Sequence, residues 1–290
     1  MTDTKPVIAF IGLGLMGAPM AGHLQAAGYE MHLHSRSRGK AEGLIAAGGF
    51  WHDDPMAAAA SADIVITMVG LPIDVETLYL APGGLLDRAK PGALLIDMTT
   101  SSPALAVRVA EAAAAKGLTV LDAPVSGGVG GAANAKLSIM VGGTAEGFAR
   151  ALPVFEKMGT NIQHQGGPGA GQHTKMVNQT VIAGTILGVA EGLAYAKAAG
   201  LDCDRVMQSI ATGAAGSVQL NIMGNLMLKG DFAPGFMITH FVKDMSLALA
   251  EGTERGLDLK ALKVALAQFQ TLVDAGLERE GTQALSKAYG

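Results

Sequence analysis

Strands and helices alternate over about the first 160 residues of the sequence, and this alternation restricts the fold more than any other feature. Short runs of β-branched and other apolar residues predict six strands, at 7–11, 31–34, 64–68, 94–97, 119–122 and 137–141. Alanine-rich segments such as 16–27 and 102–116 lie between the strands and predict helices. Strict alternation of strand and helix forms βαβ units, so we expect an α/β fold with a mostly parallel sheet.

The pattern changes after Gly159, from which point we expect no further strands. A glycine-rich segment at 166–171 leads into a long helical stretch at about 173–199. Further helices are predicted near 204–212, 238–255 and 259–275. A change to an all-helical pattern indicates a second domain. We therefore expect a sheet-containing domain at 1–163 and an all-helical domain at 164–290 that begins with the long helix.

Charge and hydropathy limit the partners of the chain. The 21 Lys+Arg and 25 Asp+Glu give a net charge of −4, so no global attraction to nucleic acid or to an anionic membrane is expected.

The most apolar stretch, 180–190, has 11 residues and is followed by Glu191. A membrane span needs about 20 residues, so we interpret this stretch as a helix buried in protein. A domain of about 120 residues has little interior for such a helix, which favours a homodimer or homotetramer.

Three further features concern compartment and metal. Cys203 is the single cysteine and has no partner for an internal disulfide, and the first residues lack a basic segment followed by a cleavage site. We therefore expect a cytoplasmic protein. The seven histidines show no metal-ligand spacing, so no metal site is expected.

A glycine motif follows the first predicted strand and opens the first predicted helix. It reads Gly12-Leu13-Gly14-Leu15-Met16-Gly17, a GxGxxG pattern. In this context the first glycine allows a tight turn, the second allows a pyrophosphate to approach the backbone, and the third allows the helix to pack on the strand. The motif therefore predicts a dinucleotide site at residues 12–16.

The end of the second strand indicates which dinucleotide is preferred. NAD-binding proteins usually place an acidic residue there to bind the ribose 2′-OH. This chain has no carboxylate in the segment 34–40 (HSRSRGK) but three cations. Arg36, flanked by Ser35 and Ser37, suits a 2′-phosphate. We expect NADPH to be preferred, with NADH as the alternative cofactor; the alternative interpretation is a solvated basic loop.

Four segments of the chain resemble the β-hydroxyacid dehydrogenase family. They are 10–20 (FIGLGLMGAPM), 122–128 (DAPVSGG), 169–179 (GAGQHTKMVNQ) and 241–245 (FVKDM), in the family's order over nearly the whole chain. The resemblance implies a Rossmann-type, doubly wound N-terminal domain that binds NADP, followed by an all-helical domain for substrate binding and oligomerisation. It also implies an active site in the cleft between the two domains.

The second of these segments contains a turn suited to a carboxylate. Ser126 offers a hydroxyl, and Gly127 and Gly128 offer unencumbered backbone N–H groups that can converge on one anion. In the family this segment binds the substrate carboxylate. The alternative interpretation is a turn that only requires flexible backbone.

The third segment places a lysine and two amides on one helix face. Asn178 and Gln179 follow Lys175 by three and four residues. Reduction of an aldehyde by hydride transfer leaves an alkoxide that needs a proton, and oxidation of the alcohol needs a base. Apolar neighbours would favour the neutral amine, so Lys175 suits both roles, and the resemblance implies the same role. We expect Asn178 to orient the substrate and Gln179 to bind it.

Three more residues are expected at the cofactor. Thr100, in the loop 97–103 (DMTTSSP), resembles the family's contact to the nicotinamide end, whereas Ser102 suits a helix cap. Val69, after the strand at 64–68, is expected beside the adenine-side ribose. Lys243 corresponds to a family lysine that reaches the cofactor or substrate; alternatively it is an exposed helical lysine paired with an acid.

Together these features favour an NADPH-preferring oxidoreductase that interconverts a small β-hydroxyacid and its semialdehyde. Within the family, 2-hydroxy-3-oxopropionate (tartronate semialdehyde) reductase and 3-hydroxyisobutyrate dehydrogenase-like activities fit best. Succinic semialdehyde reductase, imine reductase and a non-catalytic dinucleotide-binding module are the alternatives. Ala135, Val218 and Gly281 depart from the family, which commonly has glycine, tryptophan and aspartate near these positions.

Overall fold

A computed structural model describes residues 5–289 of the chain. Within these residues nine strands form one sheet. The strands are β1 (Ile8–Ile11), β2 (Met31–His34), β3 (Phe50–Trp51), β4 (Ile64–Thr67), β5 (Leu94–Asp97), β6 (Thr119–Asp122), β7 (Val125–Ser126), β8 (Leu137–Gly142) and β9 (Gly159–Gly166).

The order of the strands is that of a dinucleotide-binding sheet. Strands β3-β2-β1-β4-β5-β6 are all parallel, and β8 continues the sheet antiparallel to β6. The six strands predicted from sequence are all present, so the α/β fold with a mostly parallel sheet is confirmed. The carboxyl ends of the parallel strands meet at one edge, which is where such sheets bind ligands. The register sets the Asp97 and Asp122 ends of β5 and β6 side by side, and Thr67 beside Asp97.

The expectation that strands stop at Gly159 is wrong. Strand β9 begins there and pairs in parallel with β8. Its sequence, GTNIQHQG, is polar and mostly exposed, so it lacks the apolar pattern from which the other strands were predicted. The two-residue strands β3 and β7 were missed because they are too short to show a period.

Helices connect the strands and form the second half of the chain. They are α1 (Gly17–Ala26), α2 (Glu42–Ala46), α3 (Pro55–Ala59), α4 (Pro72–Leu80), α5 (Leu85–Arg88), α6 (Pro103–Ala114), α7 (Gly128–Ala133), α8 (Ala145–Phe155), α9 (Ala170–Ala198), α10 (Cys203–Ile210), α11 (Asn225–Lys229), α12 (Ile238–Glu254) and α13 (Lys260–Asp274). Short 3-10 segments lie at Arg38–Ala41 and Thr282–Tyr289, and a π-helical segment lies at Gln219–Gly224. Ser102 caps α6, since its hydroxyl accepts from the Leu105 N–H at 3.3 Å.

Contacts divide the chain into two compact units, up to Lys175 and from Met176 onward. The division falls inside α9, about twelve residues after the 163/164 boundary expected from sequence. In the first unit β1 is buried on both faces: Ile8 and Phe10 belong to one apolar core, and Ala9 and Ile11 to another. Burial on both faces is typical of a parallel sheet covered by helices. The second unit has its own apolar core, which contains the buried aromatic residues Phe241 and Phe269.

Helix α9 is longer and less buried than expected. By length and composition alone, its 29 residues would suffice to cross a membrane, and it is the one helix in the described part of the chain of which this is true. A third of its most apolar window is buried in this chain. The expectation of a helix buried in protein therefore holds for one face only. Ala183, Ile186 and Ala190 enter the core of the second unit, while Val177 and Val181 are exposed.

Candidate active site

The glycine motif forms a tight loop between β1 and α1. Gly12 has a φ of +103°, and a Cβ on it would lie 2.2 Å from the carbonyl oxygen of Met68. A Cβ on Gly17 would lie 1.9 Å from the carbonyl oxygen of Gly12. At Gly14, by contrast, a Cβ would meet no atom of residues 5–289 within 4 Å. Glycine is thus required by the protein itself at positions 12 and 17, whereas at position 14 it leaves open space that suits a pyrophosphate.

The other cofactor residues predicted in the first unit lie at the ends of β2, β4 and β5. After β2, Ser35 is half-buried and Arg36 and Ser37 are exposed. Beside them the Arg38 guanidinium lies over the Trp51 ring, 5.7 Å from its centroid, so this cation is already engaged. In the glycine loop Leu13 is buried, Met16 half-buried and Leu15 exposed.

Hydrogen bonds tie together the loops that follow β4 and β5. The Val69 N–H donates to the Thr99 hydroxyl at 3.0 Å. The Thr99 N–H and the Thr67 hydroxyl both donate to Oδ1 of Asp97, at 3.1 and 2.8 Å. Burial raises the pKa of Asp97 to about 6, although these hydrogen bonds act in the opposite direction. Asp97 therefore anchors the loop of Thr100 and, through Thr99, the loop of Val69, the two residues that were expected to contact the cofactor.

Gln172 on α9, for which no role was predicted from sequence, holds the loop that follows β5. Its Oε1 accepts from the Ser101 N–H at 2.9 Å, and its Nε2 donates to the Thr99 carbonyl oxygen at 2.7 Å. The side chain is completely buried. The two hydrogen bonds lie on either side of Thr100, so Gln172 fixes the backbone of that residue relative to the first turn of α9.

Asp122 holds the start of α9 against the end of β6. Its two oxygens accept from the backbone N–H groups of Gly169 and Gln172, both at 2.8 Å. A carboxylate at the first turn of a helix satisfies N–H groups that have no partner within the helix. Burial raises the pKa of Asp122 to about 6 against the effect of these bonds. The sequence gives no signal for this contact, because it depends on where α9 begins in space.

Lys175 lies at the predicted substrate turn. Its Nζ donates to the carbonyl oxygen of Val125 at 2.8 Å, and the residue is 6% exposed. Val125 directly precedes the Ser126-Gly127-Gly128 turn, where Gly127 has a φ of +131°, a conformation that favours glycine. The structure thus brings the predicted acid/base and the predicted carboxylate turn together within the first unit.

The second unit holds the remaining predicted residues in one polar cluster. The Asn178 Nδ2 donates to Gln179 Oε1 at 2.6 Å, and the Gln179 Nε2 donates to Asp244 Oδ2 at 2.6 Å. The Lys243 Nζ forms an ion pair with Oδ1 of Asp244 at 3.0 Å. Gln179 and Asp244 are each 1% exposed, while Asn178 is half-buried. Both ends of the Gln179 amide are therefore engaged by protein.

Comparison with known proteins finds family matches over both halves of the chain. Residues 7–167 match the family described as the NAD binding domain of 6-phosphogluconate dehydrogenase. Residues 169–289 match the family described as NAD-binding of NADP-dependent 3-hydroxyisobutyrate dehydrogenase. The fold and both matches define an oxidoreductase with NAD(P)-binding domains.

Similar proteins span the whole chain. An uncharacterized oxidoreductase of Bacillus subtilis (strain 168) is 48% identical over 98% of this chain and 99% of its own length. The 3-hydroxyisobutyrate dehydrogenase of Pseudomonas aeruginosa is 41% identical over 100% of this chain and 99% of its own length. The structure of Mycobacterium tuberculosis 3-hydroxyisobutyrate dehydrogenase with L-serine has a TM-score of 0.89 at 32% identity, over 98% of both chains. The chain therefore belongs to the β-hydroxyacid dehydrogenase family that includes 3-hydroxyisobutyrate dehydrogenase, which confirms the resemblance.

Proposed function

We propose that this protein interconverts a small β-hydroxyacid and its semialdehyde, prefers NADPH as cofactor, and uses Lys175 as general acid and base. The observation that carries the proposal is the buried Lys175 ammonium, 2.8 Å from the Val125 carbonyl oxygen and next to the Ser126–Gly128 turn. An ammonium beside an anion-binding turn suits a substrate that carries a carboxylate close to its reacting oxygen.

The three residues of the turn, and Lys175 and Asn178 on α9, each have a role in this proposal. The Ser126 hydroxyl and the N–H groups of Gly127 and Gly128 bind the substrate carboxylate. In reduction, the Lys175 ammonium gives a proton to the oxygen that becomes a hydroxyl. In oxidation, the neutral Lys175 amine takes the hydroxyl proton. Asn178 orients the substrate from the next turn of the same helix.

Residues of the first unit would hold the cofactor, which supplies or accepts the hydride. The open space at Gly14 fits a pyrophosphate on the loop formed by residues 12–16. Ser35, Arg36 and Ser37 would bind a 2′-phosphate, since the segment 34–40 has three cations and no carboxylate. Val69 and Thr100 would contact the ribose and the nicotinamide end, and Lys243 would contact cofactor or substrate from the helical unit.

The proposed substrates share a three-carbon skeleton with a carboxylate and an oxygen on the third carbon. The names of two relatives, 3-hydroxyisobutyrate dehydrogenases of two bacteria, one of them described with L-serine, support this class. Tartronate semialdehyde belongs to the same class. We also propose a cytoplasmic homodimer or homotetramer, in which a second chain would cover the exposed face of α9.

A panel of carbonyl compounds tests the proposal. NADPH oxidation is followed with three- to five-carbon semialdehydes that carry a carboxylate, with succinic semialdehyde, and with cyclic imines. We expect turnover to be highest with a semialdehyde in which one carbon separates the carboxylate from the aldehyde, and to be lower with NADH than with NADPH. Turnover of imines only would indicate an imine reductase, and cofactor binding without turnover of any carboxylate-bearing carbonyl would contradict the proposal.

A further inference from the structure

Three polar side chains of the second unit form a linear chain of hydrogen bonds beside its apolar core. Asp244 on α12 accepts from the Gln179 amide on α9, and the Gln179 oxygen accepts from the Asn178 amide, both at 2.6 Å. Asp244 and Gln179 are each 1% exposed. Met245, the next residue after Asp244, and Phe241, one helical turn before it, are completely buried core residues. Buried polar groups are costly unless they are hydrogen-bonded, so this chain stabilises one arrangement of its members.

The direction of these hydrogen bonds is set at the carboxylate. Asp244 forms an ion pair with Lys243 through Oδ1, at 3.0 Å, and an ionised carboxylate only accepts hydrogen bonds. Gln179 must therefore present its NH₂ group to Oδ2 of Asp244. Its oxygen then faces Asn178, which must present its own NH₂ group in turn.

We infer that Gln179 and Asp244 are positioning residues that bind the amide of Asn178 through its nitrogen, so that its Oδ1 is the atom left to accept a hydrogen bond from the substrate. This inference rests on the proposed function, in which Asn178 orients the substrate. Without the two positioning residues the Asn178 amide is free to rotate by half a turn, which exchanges an acceptor for a donor. With them, Asn178 offers a fixed acceptor to an O–H or N–H group of the substrate.

A double-mutant cycle on Asn178 and Gln179 tests the inference. Gln179→Met has nearly the same shape but no hydrogen-bonding amide, and it leaves the Lys243–Asp244 ion pair in place. We expect Gln179→Met to lower kcat/KM for the substrate by about 10- to 100-fold, which is the usual loss when a residue that holds a functional group in position is removed. The Kd for NADPH should not change. In the Asn178→Ala background the same substitution should have almost no further effect, because the residue through which it acts is missing.

A matched control separates this effect from a general loss of stability. Gln270 also donates to an aspartate, Asp274, at 3.0 Å, but on the exposed surface of α13. Gln270→Met should leave kcat/KM at the parent value. Equal losses of kcat/KM from Gln179→Met in the parent and in the Asn178→Ala background would overturn the inference, and so would no loss in the parent.

Gln179→Glu provides a second variant if the methionine variant does not fold. A protonated glutamic acid reproduces glutamine, since its O–H donates to Asp244 and its C=O accepts from Asn178. The other titratable or charged groups on α9 and α12 near this position are Lys175, His240 and Lys243. We expect the variant to be impaired at high pH and to regain activity, relative to the parent, as the pH falls. A ratio of variant to parent activity that stays well below one at every pH would overturn the inference. A ratio near one throughout would support it, because the introduced carboxyl, buried beside Asp244, then stays protonated and replaces the amide.

The outcome for Lys175 distinguishes this inference from the proposed function. Full activity of Lys175→Ala would contradict the proposed function itself. An inactive Lys175→Ala together with a fully active Gln179→Met would contradict only the roles assigned to Gln179 and Asp244.

Discussion

Replacement of Gly14 by alanine should separate cofactor binding from folding. An added Cβ at this position meets no atom of the described chain within 4 Å, and Gly14 does not have a positive φ. The folded protein therefore accommodates the methyl group without strain. The substitution also restricts the unfolded chain, which should stabilise the protein by about 0.4–1 kcal/mol. In a chain of this size that corresponds to a rise in Tm of roughly 1–4 °C.

The same methyl group occupies the space proposed for the pyrophosphate. Loss of one charge-assisted hydrogen bond between backbone and phosphate costs about 1.5–3 kcal/mol. Because 1.4 kcal/mol corresponds to about a tenfold change, the Kd for NADPH should rise by about 10- to 100-fold. Isothermal titration calorimetry gives the Kd, and thermal unfolding without cofactor gives the Tm.

Two further glycine variants serve as controls. Gly43→Ala in α2 is equally free of contacts with the described residues and should raise the Tm without changing the Kd. Gly17→Ala should prevent folding, because its Cβ would lie 1.9 Å from the carbonyl oxygen of Gly12. An unchanged NADPH affinity in Gly14→Ala, with intact folding, would refute the location of the cofactor.

Three other predictions concern stability, cofactor choice and pH. Ala135 has a φ of +52°, which costs an L-residue about 1–2 kcal/mol. Glycine removes this cost but loses about 0.5–1 kcal/mol through its greater flexibility in the unfolded chain. Ala135→Gly should therefore raise the unfolding free energy by about 0.5–1 kcal/mol, and a lower Tm would contradict this. Arg36→Ala should raise the Kd for NADPH by about 10- to 100-fold, through loss of a charge-assisted contact, and leave the Kd for NADH unchanged; equal losses would indicate a solvated loop. Asp97 has a pKa of about 6 in the folded state, above the unfolded value of about 3.9. The folded state therefore binds the proton of Asp97 more tightly than the unfolded state does. Ionisation of Asp97 thus lowers the unfolding free energy as the pH rises from about 4 to about 6. Asp97→Asn should therefore gain stability relative to the parent by about 2–3 kcal/mol between pH 4 and pH 7, measured by denaturant unfolding, and a difference that does not vary with pH would contradict the assignment.

Local sequence pattern predicted the parts of the fold that local chemistry determines. The six predicted strands show apolar runs, and the glycine motif lies between the first of them and α1, so both could be recognised without any contact information. The left-handed backbone of Ala135 is a conformation that favours glycine, in line with the glycine that the family resemblance implies near this position. Strand β9 was missed because pairing with β8 holds its polar residues in place, and no apolar period marks it.

Contacts between distant segments explain what the sequence did not predict about the site. Gln172 binds Thr99 and Ser101 across more than 70 residues of chain, and Gln179 binds Asp244 across 65. A single glutamine in a helix has no spacing that distinguishes it from a surface residue. Its role is defined only when the strand order and the start of α9 bring it to its partners.

Single-turnover hydride transfer in Lys175→Ala tests the central claim most directly. The variant is loaded with NADPH and mixed with the semialdehyde that the parent reduces fastest, and the loss of NADPH is followed in one turnover. General acid catalysis typically contributes 10²- to 10⁴-fold, so we expect a decrease of about that size with an unchanged Kd for NADPH. A decrease of less than about tenfold, with cofactor binding intact, would remove Lys175 from the proposed role.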